Sequence, residues 1–182
     1  MVTVAITTDH QAMSEEVSHQ KSFNDQSTTA SNGLLIPFVA GPVALYAAGK
    51  LTDSEHARET GILAGEAMVD SLAVDEATKF IFRRERPTVD AAKGKFFQSG
   101  SDSSFPSTHS FVAWSSAAVL ADEYPSRLHS LVFYGVATGV SLTRVLGQQH
   151  FPSDVLVGSA FGWMIGHYVY KKHHRWHLEY DR

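Results

Sequence analysis

Cysteine is absent from the 182-residue chain, which excludes disulfide bonds, thiolate metal sites and a cysteine nucleophile. Lysine and arginine together number 15 and are scattered, and the net charge is −4. This distribution gives no basic face that could follow the phosphate backbone of a nucleic acid. We therefore expect no nucleic-acid partner, and any affinity for anions must be local.

Long apolar runs are also missing, because no stretch reaches the roughly 18 to 20 uninterrupted apolar residues of a spanning helix. The nearest are residues 34–49, 128–147 and 155–170. Residues 1–31 lack a basic segment followed by an apolar core, so no secretory signal is visible. With 43% hydrophobic residues, the composition favours a soluble helical protein, with a membrane-seated protein as the alternative.

Little of the sequence has strand periodicity, and the pattern predicts an all-α bundle. Residues 1–32 form a polar lead-in with some disorder and at most a short amphipathic helix near residues 12–24, and residues 33–182 form one helical domain. Gly41-Pro42 predicts a break or kink in the first apolar segment. Helices are predicted over residues 51–84, from Ser107 to residue 121, and over 128–146 and 152–173.

A basic cluster closes the first long helix, where Lys79 and Arg86 precede Pro87. Seven residues are about two helical turns, so both cations can project from one side and grip a single anionic group. The alternative is a basic helix end that only complements the macrodipole.

The helix that begins after Pro106 offers unpaired N–H groups around Ser107, Thr108 and His109, which together form an anion cradle. His109 lies on the same turn, where it can protonate a leaving oxygen. The alternative is an ordinary helix cap followed by a half-buried histidine.

Arg144, His150 and Asp154 surround the start of the last helix. Pro152 suits a first helical turn, so Asp154 should lie one turn beyond His150 and reach its ring. A neutral histidine held by a carboxylate suits nucleophilic or general-base chemistry, and Arg144 offers a fork of donors to an oxyanion. Capping and packing are the alternative explanation for this pair.

Taken in order, the three clusters resemble the type 2 phosphatidic acid phosphatase superfamily, which includes bacterial acid phosphatases and vanadium haloperoxidases. Its signature is Lys, six residues and Arg-Pro, then Pro-Ser-Gly-His, then Ser-Arg, five residues, His, three residues and Asp. The chain matches it with Lys79 to Pro87, with residues 106–109, and with residues 143–154. The resemblance extends over about residues 51–170.

The resemblance implies a helical bundle with a phosphate pocket at one end, built from helix termini, and metal-independent hydrolysis of a phosphate monoester. His150 would form a phosphohistidine, Asp154 would orient it, and His109 would protonate the leaving group. The phosphate-binding residues would be Lys79, Arg86, Ser107, Thr108 and Arg144. No cofactor is expected, although vanadate should bind as a phosphate mimic.

Two positions depart from the signature, since Thr108 replaces glycine and Thr143 replaces serine. If Thr108 lies in the first helical turn, no positive φ is needed and its amide stays available, so we expect activity to survive.

The expected substrate is a lipid phosphate or diphosphate, or a small-molecule phosphate ester. Two alternatives are a vanadate-dependent haloperoxidase, which would be a much larger chain, and a non-catalytic bundle that binds anions or lipids. The family implies a periplasmic or extracytoplasmic protein, soluble or membrane-associated. The basic tail at residues 171–177 suggests peripheral membrane contact, and its His173 and His177 suggest a metal pair less strongly.

Overall fold

The computed structural model describes residues 8–17, 20–89, 93–99 and 103–174. A short π-helical turn, Ala12–Glu16, precedes five α-helices, and these residues contain no strand. The helices are α1 (Lys21–Leu51), α2 (Glu55–Phe82), α3 (Thr108–Glu123), α4 (Arg127–Leu146) and α5 (Pro152–His173). The predicted all-α class is therefore confirmed.

Helix starts follow the local capping signals closely. Ser107 caps α3 by accepting the Ser110 N–H at 3.5 Å, as the sequence predicts, and Ser126 accepts the His129 N–H at 3.1 Å to cap α4. Ser54 caps α2 by accepting the Ala57 N–H, so this helix begins at Glu55, a few residues after the predicted start at residue 51. Helix α5 begins at Pro152 and ends at His173, the predicted bounds.

Helix α3 is the central helix of the bundle and packs against the other four α-helices. Small side chains on α3, including Ala113 and Ala117, are fully buried and let its neighbours approach closely. The contact with α5 is the tightest, because a Cβ at Gly162 or Gly166 would overlap the α3 backbone. This packing fixes the start of α5 beside the start of α3.

Of the break or kink predicted at Gly41-Pro42, the break is wrong, since α1 continues from Lys21 to Leu51 with two prolines inside it. Pro42 cannot donate a hydrogen bond to the carbonyl of Phe38. The Ser116 hydroxyl of α3 donates to that carbonyl at 3.3 Å instead. A partner 78 residues away in sequence thus satisfies the group that the proline leaves unpaired.

Helix α1 runs across the predicted boundary between residues 32 and 33, and it replaces the single amphipathic helix expected near residues 12–24. Upstream of it, Met13 and Val17 are buried against Phe151, just before α5. Residues 8–17, which precede α1, are therefore packed onto the bundle. Residues 1–7 lie outside the described part.

One described helix, α1, is long and apolar enough to cross a membrane, with a mean hydropathy of 1.6 over its most apolar window. Only 17% of that window is buried in the bundle. The helix thus reaches the mean hydropathy of a membrane span although it contains no uninterrupted apolar run of that length.

Candidate functional site

Direct contacts join the three sequence clusters at one end of the bundle. The Lys79 ammonium, near the end of α2, hydrogen-bonds to the Thr108 hydroxyl at the start of α3. The Ser107 N–H donates to the Asp154 carbonyl on α5 at 3.1 Å. Arg86, beyond α2, donates to the Gln149 carbonyl at 2.9 Å. Helix ends far apart in sequence are thereby held together.

The ring of His150 is buried and has a defined proton position. Its Nδ1 lies 2.7 Å from the carbonyl oxygen of Ser104, which can only accept, so Nδ1 carries the proton. The other ring nitrogen, Nε2, therefore keeps a free electron pair. Burial lowers the pKa of His150, the Asp154 carboxylate opposes this, and Arg144 and Arg86 lower the pKa further. The imidazole is accordingly kept neutral.

Asp154 lies near this ring without taking its proton. The Asp154 Oδ2 atom is 3.7 Å from Nδ1 of His150, which is longer than a hydrogen bond. It accepts the N–H of Phe151 at 2.9 Å, while Oδ1 accepts from Arg84 at 2.6 Å. The Ser104 carbonyl fixes the orientation of the ring, and Asp154 acts on it through charge.

Lys79 is held by two partners that the motif did not reveal. Its ammonium lies 2.9 Å from Asp75, one helical turn earlier, and the Asp75 side chain is fully buried. The Thr108 hydroxyl donates to the same Asp75 oxygen at 2.7 Å. Thr108 is the first residue of α3, which confirms that it needs no positive φ. Its side chain links Asp75 to Lys79.

Burial and neighbouring positive charge both disfavour the protonated form of His109. Burial lowers the pKa of His109 to about 4, and Arg144, His150, Lys79 and Arg86 add to the effect. Its Nε2 lies 3.0 Å from the Asn32 side-chain oxygen on α1. An anion placed among these groups would have the opposite effect and favour the protonated ring.

Arg144 is buried, and its Nε atom has no hydrogen-bond partner within the protein. Burial and the neighbouring Arg86 lower its pKa to about 10, so the guanidinium still carries its charge at neutral pH. A buried donor with no partner is costly. An anionic ligand is the kind of group that would satisfy it.

A buried network behind Asp154 was missed by the sequence analysis. Arg84 donates to Asp154, to Ser153 at 2.7 Å and to Asp9 at 2.8 Å. Its guanidinium also stacks 4.0 Å from the centre of the Phe151 ring. Arg84 lies within the basic cluster, but that cluster alone does not show which arginine points inward. Asp9 carries no sequence signal.

In the part of the chain that the structure describes, no three histidine or carboxylate side chains are grouped to hold a metal ion. Of the suggested pair of His173 and His177, His177 lies outside the described residues. His173 itself pairs with Glu66 at 2.7 Å. The roles predicted for the site residues, and the phosphate pocket itself, remain predictions.

Comparison with known proteins gives two matches. The sequence model of the PAP2 superfamily matches residues 60–178. Lipid A 1-phosphatase of Porphyromonas gingivalis is 34% identical over 96 residues, a segment that covers 52% of this chain and 19% of the relative. No solved structure matches the chain.

Proposed function

The chain belongs to the PAP2 superfamily, and from this premise we propose that it is a phosphoric monoester hydrolase that acts on a lipid phosphate through a phosphohistidine intermediate. The observation that carries the proposal is the state of His150. Its proton is fixed on Nδ1 by the Ser104 carbonyl, which leaves a neutral Nε2 nucleophile close to the cationic Arg144 and Arg86.

In the first step, Nε2 of His150 attacks phosphorus in line with the ester oxygen. The P–N bond forms, the P–O bond breaks, and His109 gives its proton to the leaving alkoxide. Lys79, Arg86 and Arg144 bind the non-bridging oxygens together with Ser107 and the first amides of α3. Phosphoryl transfer requires mainly this positioning and charge stabilisation.

In the second step, a water molecule attacks the phosphohistidine. His109, now neutral, takes a proton from the water, the P–N bond breaks, and inorganic phosphate is released with His150 regenerated. The burial of the His109 ring keeps it deprotonated without ligand, while the negative charge of a bound phosphate raises its pKa toward the protonated form.

The lipid nature of the substrate is supported by the relative that is named a lipid A 1-phosphatase. The candidate membrane helix α1 fits a membrane-associated protein. An extracytoplasmic site is the part of the proposal that rests on the family alone. Flotation of the full chain with liposomes tests the membrane association. A panel of phosphatidate, phosphatidylglycerol phosphate, polyprenyl diphosphate and soluble monoesters defines the substrate class.

The decisive experiment compares the parent protein with His150→Ala on para-nitrophenyl phosphate in the presence of EDTA. Turnover by the parent, its loss in the variant, and an acid-labile phosphoryl label on His150 after rapid quenching are expected. Equal turnover by the two proteins would remove His150 from the mechanism. Bromide oxidation with vanadate and peroxide would instead indicate a haloperoxidase, and phosphate binding without turnover would indicate a binding bundle.

A further inference from the structure

Two buried carboxylates share a single guanidinium behind the proposed nucleophile. Arg84 contacts Asp154 at 2.6 Å on one side and Asp9 at 2.8 Å on the other. All three side chains are at most 2% exposed. Because water is excluded from this network, its charges are weakly screened and act strongly on nearby groups.

The net charge of the network depends on whether it contains one carboxylate or two. Arg84 and Asp154 alone would form a neutral pair, so Asp154 would offer little net negative charge to His150. With Asp9 the three groups carry a net charge of −1. The second carboxylate thus balances the cation that would otherwise cancel the first.

The contacts of Asp9 also fix it to the first turn of α5. Its Oδ1 atom accepts the Ser153 N–H at 3.0 Å, and its Oδ2 atom accepts the Ser153 hydroxyl. Negative charge at a helix N-terminus is favoured by the macrodipole. These bonds bring the segment before α1 directly behind Asp154 and couple its charge to the site.

We propose that Asp9 is a positioning residue of the site, which holds Arg84 and preserves the negative charge that Asp154 presents to His150. The proposal rests on the proposed function, in which His150 is the nucleophile. The other charged or titratable groups that act on the His150 ring are Arg144 from α4 and Arg86 from the segment after α2, and His109 lies at the start of α3.

The test is the pH profile of kcat/KM on para-nitrophenyl phosphate. His150 must be neutral to attack, so kcat/KM rises with pH through the pKa of its ring. Asp9→Asn removes one negative charge and destabilises the imidazolium. The rising limb should therefore move to lower pH by about one unit. The maximal kcat/KM should change much less, by about two- to threefold, because a loose phosphoryl-transfer transition state depends weakly on the basicity of the nucleophile.

Three further proteins separate charge from structure. Asp9→Glu keeps the charge, so its rising limb should stay at the parent position. The double variant Asp9→Asn/Arg84→Gln keeps the parent net charge and should restore the limb, although it removes more hydrogen bonds. Asp53→Asn is the matched control, since the Asp53 side chain is 96% exposed and lies between α1 and α2.

A limb that stays unmoved in Asp9→Asn, or that fails to return in the double variant, would overturn the proposal. Asp9→Ser also removes the charge and should move the limb in the same direction, so it replaces Asp9→Asn if that variant does not fold. If the parent hydrolyses no phosphate ester, the proposed function fails by itself. NMR titration of the His150 ring in the parent, Asp9→Asn and Asp9→Glu then still decides whether charge at residue 9 sets its pKa.

Discussion

Thr108 offers the sharpest test of the site, because it stands where the family signature has glycine. Its hydroxyl donates to the buried Asp75 at 2.7 Å and contacts the Lys79 ammonium. Asp75 already has one oxygen, Oδ1, without a partner. Thr108→Val removes only the hydroxyl and keeps the branched shape, so it isolates this bond from the packing of the side chain.

A hydrogen bond to a charged group contributes about 1.5–3 kcal/mol. Valine and threonine have similar helix propensities, so little else should change at the first position of α3. For a chain of this length, a loss of about 2 kcal/mol lowers Tm by about 4–8 °C. Thr108→Ser retains the hydroxyl and should stay closer to the parent.

The effect on activity should be separate from the effect on stability. Lys79 keeps Asp75 as a partner in Thr108→Val and loses only the contact with the hydroxyl. Its ammonium is then freer to bind phosphate, so we expect KM to fall or stay unchanged while kcat is retained. Thr108→Gly should behave like Thr108→Val in activity and should be the less stable of the two, because glycine disfavours the helix.

Differential scanning fluorimetry and steady-state kinetics on the same preparations check both expectations. The Thr108→Ser variant is the control for side-chain size. A Thr108→Val protein as stable as the parent would refute the bridging role of the hydroxyl. A loss of kcat in Thr108→Val that Thr108→Ser does not share would show that the hydroxyl takes part in the reaction.

Three other outcomes are expected. In the proposed mechanism His109 must be protonated to act as the acid, and its pKa is lowered to about 4, so kcat/KM should pass through a maximum and fall about tenfold per pH unit on the alkaline side. His109→Ala should lose this falling limb, and its rate on alkyl phosphates should drop by about 10²–10⁴. Initial rates measured over a pH series check both effects. Arg144→Lys keeps the charge but not the fork, so KM and the vanadate inhibition constant should rise about tenfold. The fully buried Glu123 carboxylate lies 2.8 Å from both His56 and His174, so Glu123→Ala should cost about 2–3 kcal/mol in thermal unfolding. It should leave KM unchanged, because α3 places it about 23 Å from Thr108.

Local signals predicted the helix ends that build the site. Ser107 and Pro152 fix the starts of α3 and α5 through capping and a preset φ, and neither depends on distant residues. The three motif clusters could therefore be placed at helix ends from sequence. Their mutual contacts follow once the bundle packs.

Contacts between residues far apart in the chain could not be predicted from the sequence. The continuity of α1 depends on Ser116, which bonds a carbonyl that no local pattern connects to it. The inward position of Arg84 depends on the left-handed turn at Arg83, where φ is 40°. Asp9 is identified only when residues 8–17 are seen against α5. Each of these three features depends on tertiary packing, which produces no periodic pattern in the sequence.

Ligand binding and folding are linked in this protein, because the residues of the site are far apart in the sequence. Its groups come from four separate parts of the chain, around residues 9, 79–86, 104–109 and 144–154, and no single helix contains them all. A phosphate ion that binds there selects the fully assembled bundle over every partly folded form. Saturation to 100 times Kd would then stabilise the protein by about 2.7 kcal/mol. The reaction product would protect the chain from proteolysis at concentrations where it also inhibits turnover.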